Sequence, residues 1–277
     1  GRIVVNGGNV ENTGIELIIN ATAVSTQNFT WTTTLNMSHN KNLITSLKNA
    51  YTNGDSTRYS DPEGPGQTGA TLQLLKVGYP IGQYFTLSYA GKDANGVSQF
   101  YKRDGTKTSG ASFPSIGTDY WYMGNAQPKL LLGWNNNIRY KNFDLNFFLR
   151  GTFGHKIFNA TRADLSYVTA AGVNNLIKTA VDDKVADIKN SFYSNRYIES
   201  GSYVRMDNAT LAYTFNKVAK GISSLRFYVT GNNLFTITDY SGIDPEINQG
   251  GIAPGIDYNN FYPKTRTIML GVNLTLQ

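Results

Sequence analysis

The last stretch of the chain, residues 265–277, most constrains the fold because apolar side chains occupy every second position. Its aliphatic residues are Ile268, Leu270, Val272, Leu274 and Leu276. Successive side chains of a β-strand point to opposite faces, so we predict a strand with one aliphatic face and one mostly small or polar face. No charged residue follows Arg266. Such a strand suits a half-buried sandwich or a membrane β-barrel, whose strands are apolar outside and polar inside.

The composition favours the barrel. Charged residues make up 16% of the 277 residues, whereas an average globular chain has about 25%. Mean hydropathy is −0.33, and no apolar run approaches the roughly 18 residues of a transmembrane helix. Asn, Thr, Gly and Tyr are frequent, as expected for a polar, uncharged lumen with aromatic girdles.

Net charge and cysteine content exclude several classes of protein. The net charge is +6, but the 25 Lys and Arg residues are scattered, so we expect no nucleic-acid partner. The chain has no Cys, hence no disulfide and no thiolate site. It opens Gly-Arg-Ile without a signal peptide, and we expect it to be a piece of a longer protein.

Alternation predicts seven strands, in three hairpins and one final strand. The predicted strands cover residues 13–24, 28–38, 129–140, 143–153, 203–215, 225–235 and 265–277. The long loops, residues 41–127, 155–200 and 239–263, alternate with short turns and therefore lie at one end, which is extracellular in outer-membrane barrels. An open seven-stranded sheet leaves two unpaired edges, so we expect partner strands upstream in a larger barrel.

A lumen-facing side of one strand, a hairpin and a helix are predicted within these strands and loops. Arg150 shares a face of its strand with polar residues, and charge facing lipid is costly, so that face is expected to be the lumen. Residues 83–90 and 97–103 are predicted to form a small hairpin in an otherwise irregular loop. Apolar residues at near-helical spacing predict a helix over residues 173–192.

Six Asn-x-Ser/Thr triplets allow two interpretations. They begin at Asn20, Asn28, Asn36, Asn159, Asn208 and Asn273. As glycosylation sites they would indicate a secreted protein. Five of them lie in predicted strands, where residues two apart share a face, so we interpret them as part of the polar lumen face.

No catalytic or metal-binding constellation is predicted. His39 and His155 are the only histidines, and neither lies in a ligand-spaced group, so no metal site is expected. Asp93, Asn95 and Asp104 lack the later bidentate Glu of a calcium loop and are interpreted as turn residues. Without a defensible Ser-His-Asp arrangement, we expect that the protein is not an enzyme and needs no cofactor.

Aromatic residues in or beside the long loops are the candidate substrate or partner contacts. The candidates are Tyr120, Trp121, Tyr122, Tyr240, Tyr258 and Tyr262. Aromatic faces can stack on sugars or contact peptides. The competing interpretations are an interfacial girdle and packing within the loops.

Eight short motifs give the chain a family resemblance. They are NTGIEL at 12–17, GYPIGQYF at 78–85, GNAQPK at 124–129, YKNFDL at 140–145, YVRMDN at 203–208, GNNLFT at 231–236, DYSGIDPE at 239–246 and YPKTR at 262–266. Together, and in this order, they resemble the C-terminal part of SusC/RagA-type TonB-dependent outer-membrane transporters of Bacteroidetes.

The resemblance implies an all-β membrane β-barrel with 22 strands and a plug, of which this chain supplies the last seven antiparallel strands and their long extracellular loops. Residues 1–277 would then be the C-terminal barrel part, with the plug and earlier strands outside the chain. Such barrels usually end in an aromatic residue, so we expect one to follow Gln277.

The function implied is import across the bacterial outer membrane of oligosaccharides or peptides, energised through TonB. The implied partners are a SusD-like surface lipoprotein, the N-terminal plug and barrel portion, and outer-membrane lipid. A barrel for adhesion or structure, without transport, is the alternative, and a plug with a TonB box would discriminate the two. A barrel enzyme is the third hypothesis, and it lacks a catalytic constellation here.

Overall fold

The computed structural model describes residues 7–48, 53–59, 71–109, 119–173, 175–187, 193–247, 250–258 and 262–276. The strands are β1 (Asn9–Ser25), β2 (Phe29–Ser46), β3 (Ser56–Tyr59), β4 (Gln73–Lys76), β5 (Gln83–Thr86), β6 (Ser88–Lys92), β7 (Ser98–Tyr101), β8 (Lys107–Ser109), β9 (Trp121–Asn125), β10 (Leu130–Tyr140), β11 (Phe143–Phe153), β12 (Lys156–Asn159), β13 (Ile198–Ser200), β14 (Tyr203–Ala219), β15 (Ile222–Thr238), β16 (Ile256–Asp257) and β17 (Thr267–Leu276). The helices are α1 (Ala160–Leu165) and α2 (Lys178–Asp183), with 3-10 turns at Val168–Ala170 and Asn195–Tyr197. Within these ranges, no helix has the length and apolar character needed to cross a membrane.

The seven predicted strands are confirmed as one antiparallel sheet in the order β1-β2-β10-β11-β14-β15-β17. Because every neighbour is antiparallel, the three long connections lie at one end and the three short turns at the other. Several strands are longer than predicted. β2 continues to Ser46 rather than to residue 38, still paired with β1. β14 and β15 pair as far as Ala219 and Ile222, which leaves a tighter turn than the predicted 216–224.

One face of this sheet is apolar across its whole width. In the strand register, Leu145 lies opposite Leu211, Leu211 opposite Val229, and Val229 opposite Leu270. Nearer the short turns, a row of aromatic residues crosses five consecutive strands; it consists of Phe29, Tyr140, Phe143, Tyr213 and Phe227. The side chain of Leu270 is 85% exposed. An exposed apolar band bordered by aromatic residues is typical of the lipid-facing surface of a membrane barrel.

The opposite face is polar, as predicted. Thr210 and Thr230 face each other with their hydroxyls 2.8 Å apart. Thr34 donates a 2.8 Å hydrogen bond to Asn20, which places that Asn-x-Thr triplet on the polar face. Of the other triplets, Asn28 lies in the turn before β2 rather than in the predicted strand, and Asn159 caps α1.

The first long connection was predicted to be irregular apart from one hairpin, but its described residues form short strands and pack with the other two connections into a loop body. We define the first connection as residues 47–129, the second as 154–202 and the third as 239–266. They form three small sheets: β3-β4-β5-β9, β6-β7-β8 and β13-β12-β16. One core joins all three connections, with Leu72, Tyr84 and Ala126 from the first, Phe158, Ala160, Ala163 and Tyr197 from the second, and Ile256 from the third.

Two predictions inside the loops need correction. β6 and β7 form the expected hairpin, but β5 pairs instead with β4 and β9. The predicted helix over 173–192 is reduced to α2, because Lys184 takes a left-handed conformation at φ 48° and ends it. Val185 then bridges to Tyr167 and is fully buried, so the apolar spacing reflects packing rather than one helix. Residues 174 and 188–192 of that prediction lie outside the described residues.

Candidate functional site

An arginine–carboxylate cluster fastens the third connection to the polar face of the sheet. We define it as Arg150, Arg205, Asp207, Asp244, Glu246 and Lys264. Arg150 binds Asp207 through Nε and Nη2, at 2.8 and 3.2 Å. The same guanidinium binds Glu246 through Nη1 and Nη2, at 3.0 and 2.9 Å. Paired hydrogen bonds between guanidinium and carboxylate are among the stronger and more directional polar contacts in proteins.

The backbone explains how these side chains meet. Asp207 is an extra residue of β14 relative to β11, because Met206 pairs with Leu149 and Asn208 with Phe148, and such bulges re-aim side chains. In the third connection, Asp244 accepts a 2.8 Å hydrogen bond from the backbone N–H of Glu246, a local turn favoured by Asp. Asp244 also pairs with Arg205 of β14, which is almost fully buried.

The electrostatics of the cluster hold Glu246 ionised. Burial on its own disfavours the charge, but hydrogen bonds from Arg150 and Lys264 outweigh it and lower the pKa of Glu246 to about 2. Lys264 Nζ lies 2.6 Å from Glu246 Oε2. Glu246 therefore remains charged and paired at any physiological pH.

A cavity of about 870 Å³ lies in the loop body, lined by the second and third connections. Its wall includes residues of α1 and α2, Glu199 and Ser200 of β13, Asp239, residues 241–243, and Asp257 and Tyr258. Glu199 joins the two connections, because it accepts hydrogen bonds from Arg162 at 2.9 Å and from the Ser241 hydroxyl at 2.8 Å. The wall is therefore held by bonds between segments that are distant in the chain.

Asp257 is the most enclosed carboxylate of this wall, at 5% exposed. The Tyr240 hydroxyl donates to its Oδ2. β16 pairs with β12, which places Asp257 beside Asn159 and fixes its backbone. Burial, together with the negative charges of Glu199 and Asp244, raises the pKa of Asp257 above its ordinary value.

The structure divides the six predicted aromatic contacts into two groups. Tyr120, Trp121 and Tyr122 are consecutive at β9. Each lies against a cation from another segment: Arg58 is 4.3 Å from the Tyr120 ring, Arg103 is 4.4 Å from the Trp121 ring, and Lys76 bonds the Tyr122 hydroxyl at 3.1 Å. This group is partly to substantially exposed, with Tyr122 at 38%.

The other group belongs to the third connection. Tyr240 is buried, with its hydroxyl turned to Asp257. Tyr258 lines the cavity and packs against the core of the loop body. Tyr262 is 80% exposed. Only Tyr240 and Tyr258 are thus brought close to the cavity.

The remaining sequence candidates have simple structural roles. Asp93 and Asp104 accept backbone N–H bonds two residues ahead, the predicted turn chemistry. His155 is buried, and burial lowers its pKa to about 4. Within the described ranges, no group of three or more His, Cys, Asp or Glu side chains is arranged to hold a metal ion.

Two known receptors align with nearly the whole chain. It is 32% identical to TonB-dependent receptor P3 of Formosa agariphila over 301 residues, covering 98% of this chain and 29% of that protein. It is 31% identical to TonB-dependent receptor SusC of Bacteroides thetaiotaomicron, covering 99% of this chain and 27% of that protein. The chain is a portion of a SusC/RagA-like TonB-dependent receptor. No family model matches it.

Solved structures show the same fold for this SusC/RagA-like portion. The RagAB peptide importer in its "closed-closed" state superposes with a TM-score of 0.76 at 21% identity, over 97% of this chain and 30% of that one. The "open-open" state gives a TM-score of 0.74. The seven-stranded sheet is therefore part of an all-β membrane barrel, as predicted. The relatives are receptors and importers by name, which agrees with the expectation of a non-enzyme.

Sequence reasoning missed the residues that join the loop body to the sheet and line its cavity. Asp244 and Glu246 belong to a motif that the sequence analysis quoted, but no pattern indicated their partners. Glu199 and Asp257 lie outside the eight motifs. Their neighbours come from other connections, so only the folded chain brings them together.

Proposed function

We propose that this chain forms part of the wall and the extracellular mouth of an outer-membrane importer for oligosaccharides or peptides. One observation carries the proposal: a sheet with an apolar, aromatic-bordered face and a polar face bears an ordered loop body at one end. The apolar face suits lipid, and the polar face suits a lumen. The chain spans only 29% and 27% of the lengths of P3 and SusC, so transport belongs to the whole polypeptide.

The proposed partners follow from the family. Its receptors are TonB-dependent by name, so the complete protein would be energised through TonB and plugged by its N-terminal portion. A SusD-like surface lipoprotein would cover the mouth and contact the loop body. Exposed aromatic residues of that body, Tyr122 and Tyr262 among them, are proposed contacts for the lipoprotein or the substrate.

The first experiment is extraction of the full-length protein from outer membranes in mild detergent, followed by mass spectrometry of the intact complex. We expect a lipoprotein of the SusD type in the same complex. Recovery of the full-length protein alone from freshly extracted membranes would overturn the proposed partner.

Transport itself is tested in cells. Deletion of the gene should abolish uptake of fluorescent oligosaccharides or peptides too large for porins, and loss of TonB should have the same effect. Binding of these molecules to the cell surface with no TonB-dependent uptake would instead establish the adhesion barrel.

A further inference from the structure

We propose that the cavity of the loop body is a binding site for the primary ammonium group of a peptide, with Asp257 as its anchor. This inference rests on the proposed import function and deepens it, because it selects peptides over neutral oligosaccharides.

Asp257 is held in place with one oxygen unused. Its Oδ2 accepts the Tyr240 hydroxyl, while Oδ1 makes no hydrogen bond within the described part of the chain. The residue is 5% exposed and lines the cavity. This oxygen is therefore free to accept a donor that a ligand brings into the cavity, and a hydrogen bond to a charged group is among the stronger ones.

The charges of the wall favour a cationic donor over a neutral one. Arg162 is paired with Glu199 and Arg196 with Asp183, at 2.9 and 2.8 Å. Among the described lining residues, the charges left without an ion pair are Asp239, Asp257 and the exposed Lys178, a net negative charge. The pKa of Asp257 is raised first by burial and then by the negative charges of Glu199 and Asp244. An ammonium gains a charge-assisted hydrogen bond, whereas a sugar hydroxyl gains only a neutral one.

The space suits a short peptide end. A volume of about 870 Å³ falls within the roughly 300–1,000 Å³ of small-molecule sites. Tyr258 supplies an aromatic ring on the same wall, and a cation near such a ring is further stabilised. A carboxylate or sulfate entering the cavity would meet Asp239 and Asp257 and be repelled.

The test is calorimetric binding to the full-length protein in detergent, with penta-alanine bearing a free amino terminus as the probe. N-acetylated penta-alanine and maltohexaose are the comparison ligands. We expect at least tenfold weaker binding for the acetylated peptide and for Asp257→Asn, since Asn still accepts from the Tyr240 hydroxyl but removes the charge. Asp239→Asn, on the exposed rim, should weaken binding less, and Asp104→Asn in a remote turn should leave it unchanged.

Equal binding of the free and acetylated peptides, or tighter binding of maltohexaose, would overturn the inference. If Asp257→Asn fails to fold, Asp239→Asn and the acetylated peptide still test whether the cavity binds an ammonium group, because neither disturbs the core. Uptake in cells is measured separately. An importer that takes up oligosaccharides by a TonB-dependent route, yet shows no ammonium selectivity, would retain the proposed function and lose this site.

Discussion

Arg150 and Glu246 lie 96 residues apart and meet through two parallel hydrogen bonds, at 3.0 and 2.9 Å. The arginine stands on a strand of the sheet and the glutamate on the third connection. This pair and its neighbours in the arginine–carboxylate cluster join the loop body to the sheet. The same connection supplies Asp257 and Tyr258 to the cavity, so the cluster also positions the cavity.

The first prediction concerns this tie. Glu246→Gln should lower the free energy of local opening of the third connection by about 1–2 kcal/mol, because a charged hydrogen-bonded pair that is partly solvent-exposed is lost. Hydrogen exchange over residues 239–258 of the full-length protein measures it. Asp104→Asn, which affects only a local turn, is the matched control. Unchanged protection in the glutamine variant would show that the cluster does not hold the connection.

The second prediction is that acid weakens the same attachment of the third connection to the sheet. The pKa of Glu246 falls from 4.5 to about 2 on folding, so its stabilisation is complete above about pH 4.5 and disappears as the pH falls towards 2. A spin label on a cysteine at the exposed position of Ile252 should gain mobility across that window. The same label in the Glu246→Gln background should show no such transition, and an identical titration in both would refute the assignment.

The third prediction compares neighbouring residues on opposite faces of β17. Leu270→Lys should destabilise the full-length barrel in lipid vesicles by about 2–4 kcal/mol, since the side chain would face the middle of the bilayer. Met269→Lys, directed to the polar face beside Thr230, should cost much less. Denaturant unfolding from vesicles measures both. Equal costs would mean that the apolar face does not contact lipid.

The fourth prediction separates the loop body from the sheet. Phe158 is fully buried in the shared core, so Phe158→Ala should cost about 3–5 kcal/mol. The loss should appear as protease sensitivity in all three connections, while the barrel keeps its resistance to detergent denaturation. Val181→Ala, at an exposed site on α2, is the control. Cleavage confined to the second connection would argue against a common core.

The seven long strands were predictable because a period of two extends over many residues in each. β17 shows it without a charged interruption, and Arg150 identified the polar face of β11. The strands of the loop body were not predictable, because β4 and β5 have four residues each and bury Gln73 and Gln83 among apolar neighbours. Four residues are too few for a pattern to separate strand from loop.

The site was less predictable than the fold. Tyr240 was a candidate contact because it is an aromatic residue in a long loop. Residue type does not indicate whether a ring is exposed, and the Tyr240 ring is buried. Glu246 and Asp257 depend on partners from other strands and connections. Their roles arise from contacts between residues that are distant in the chain, and no pattern in a single sequence indicates which distant residues meet.

The common core of the three connections has an evolutionary consequence. A loop body whose segments share Tyr84, Phe158 and Ile256 can be inherited or exchanged only as a set. Grafting one connection from a relative would leave its apolar residues without their counterparts, whereas recombination that moves all three would keep the shared core intact. Selection should therefore act on these three segments jointly, although the barrel strands separate them in the chain.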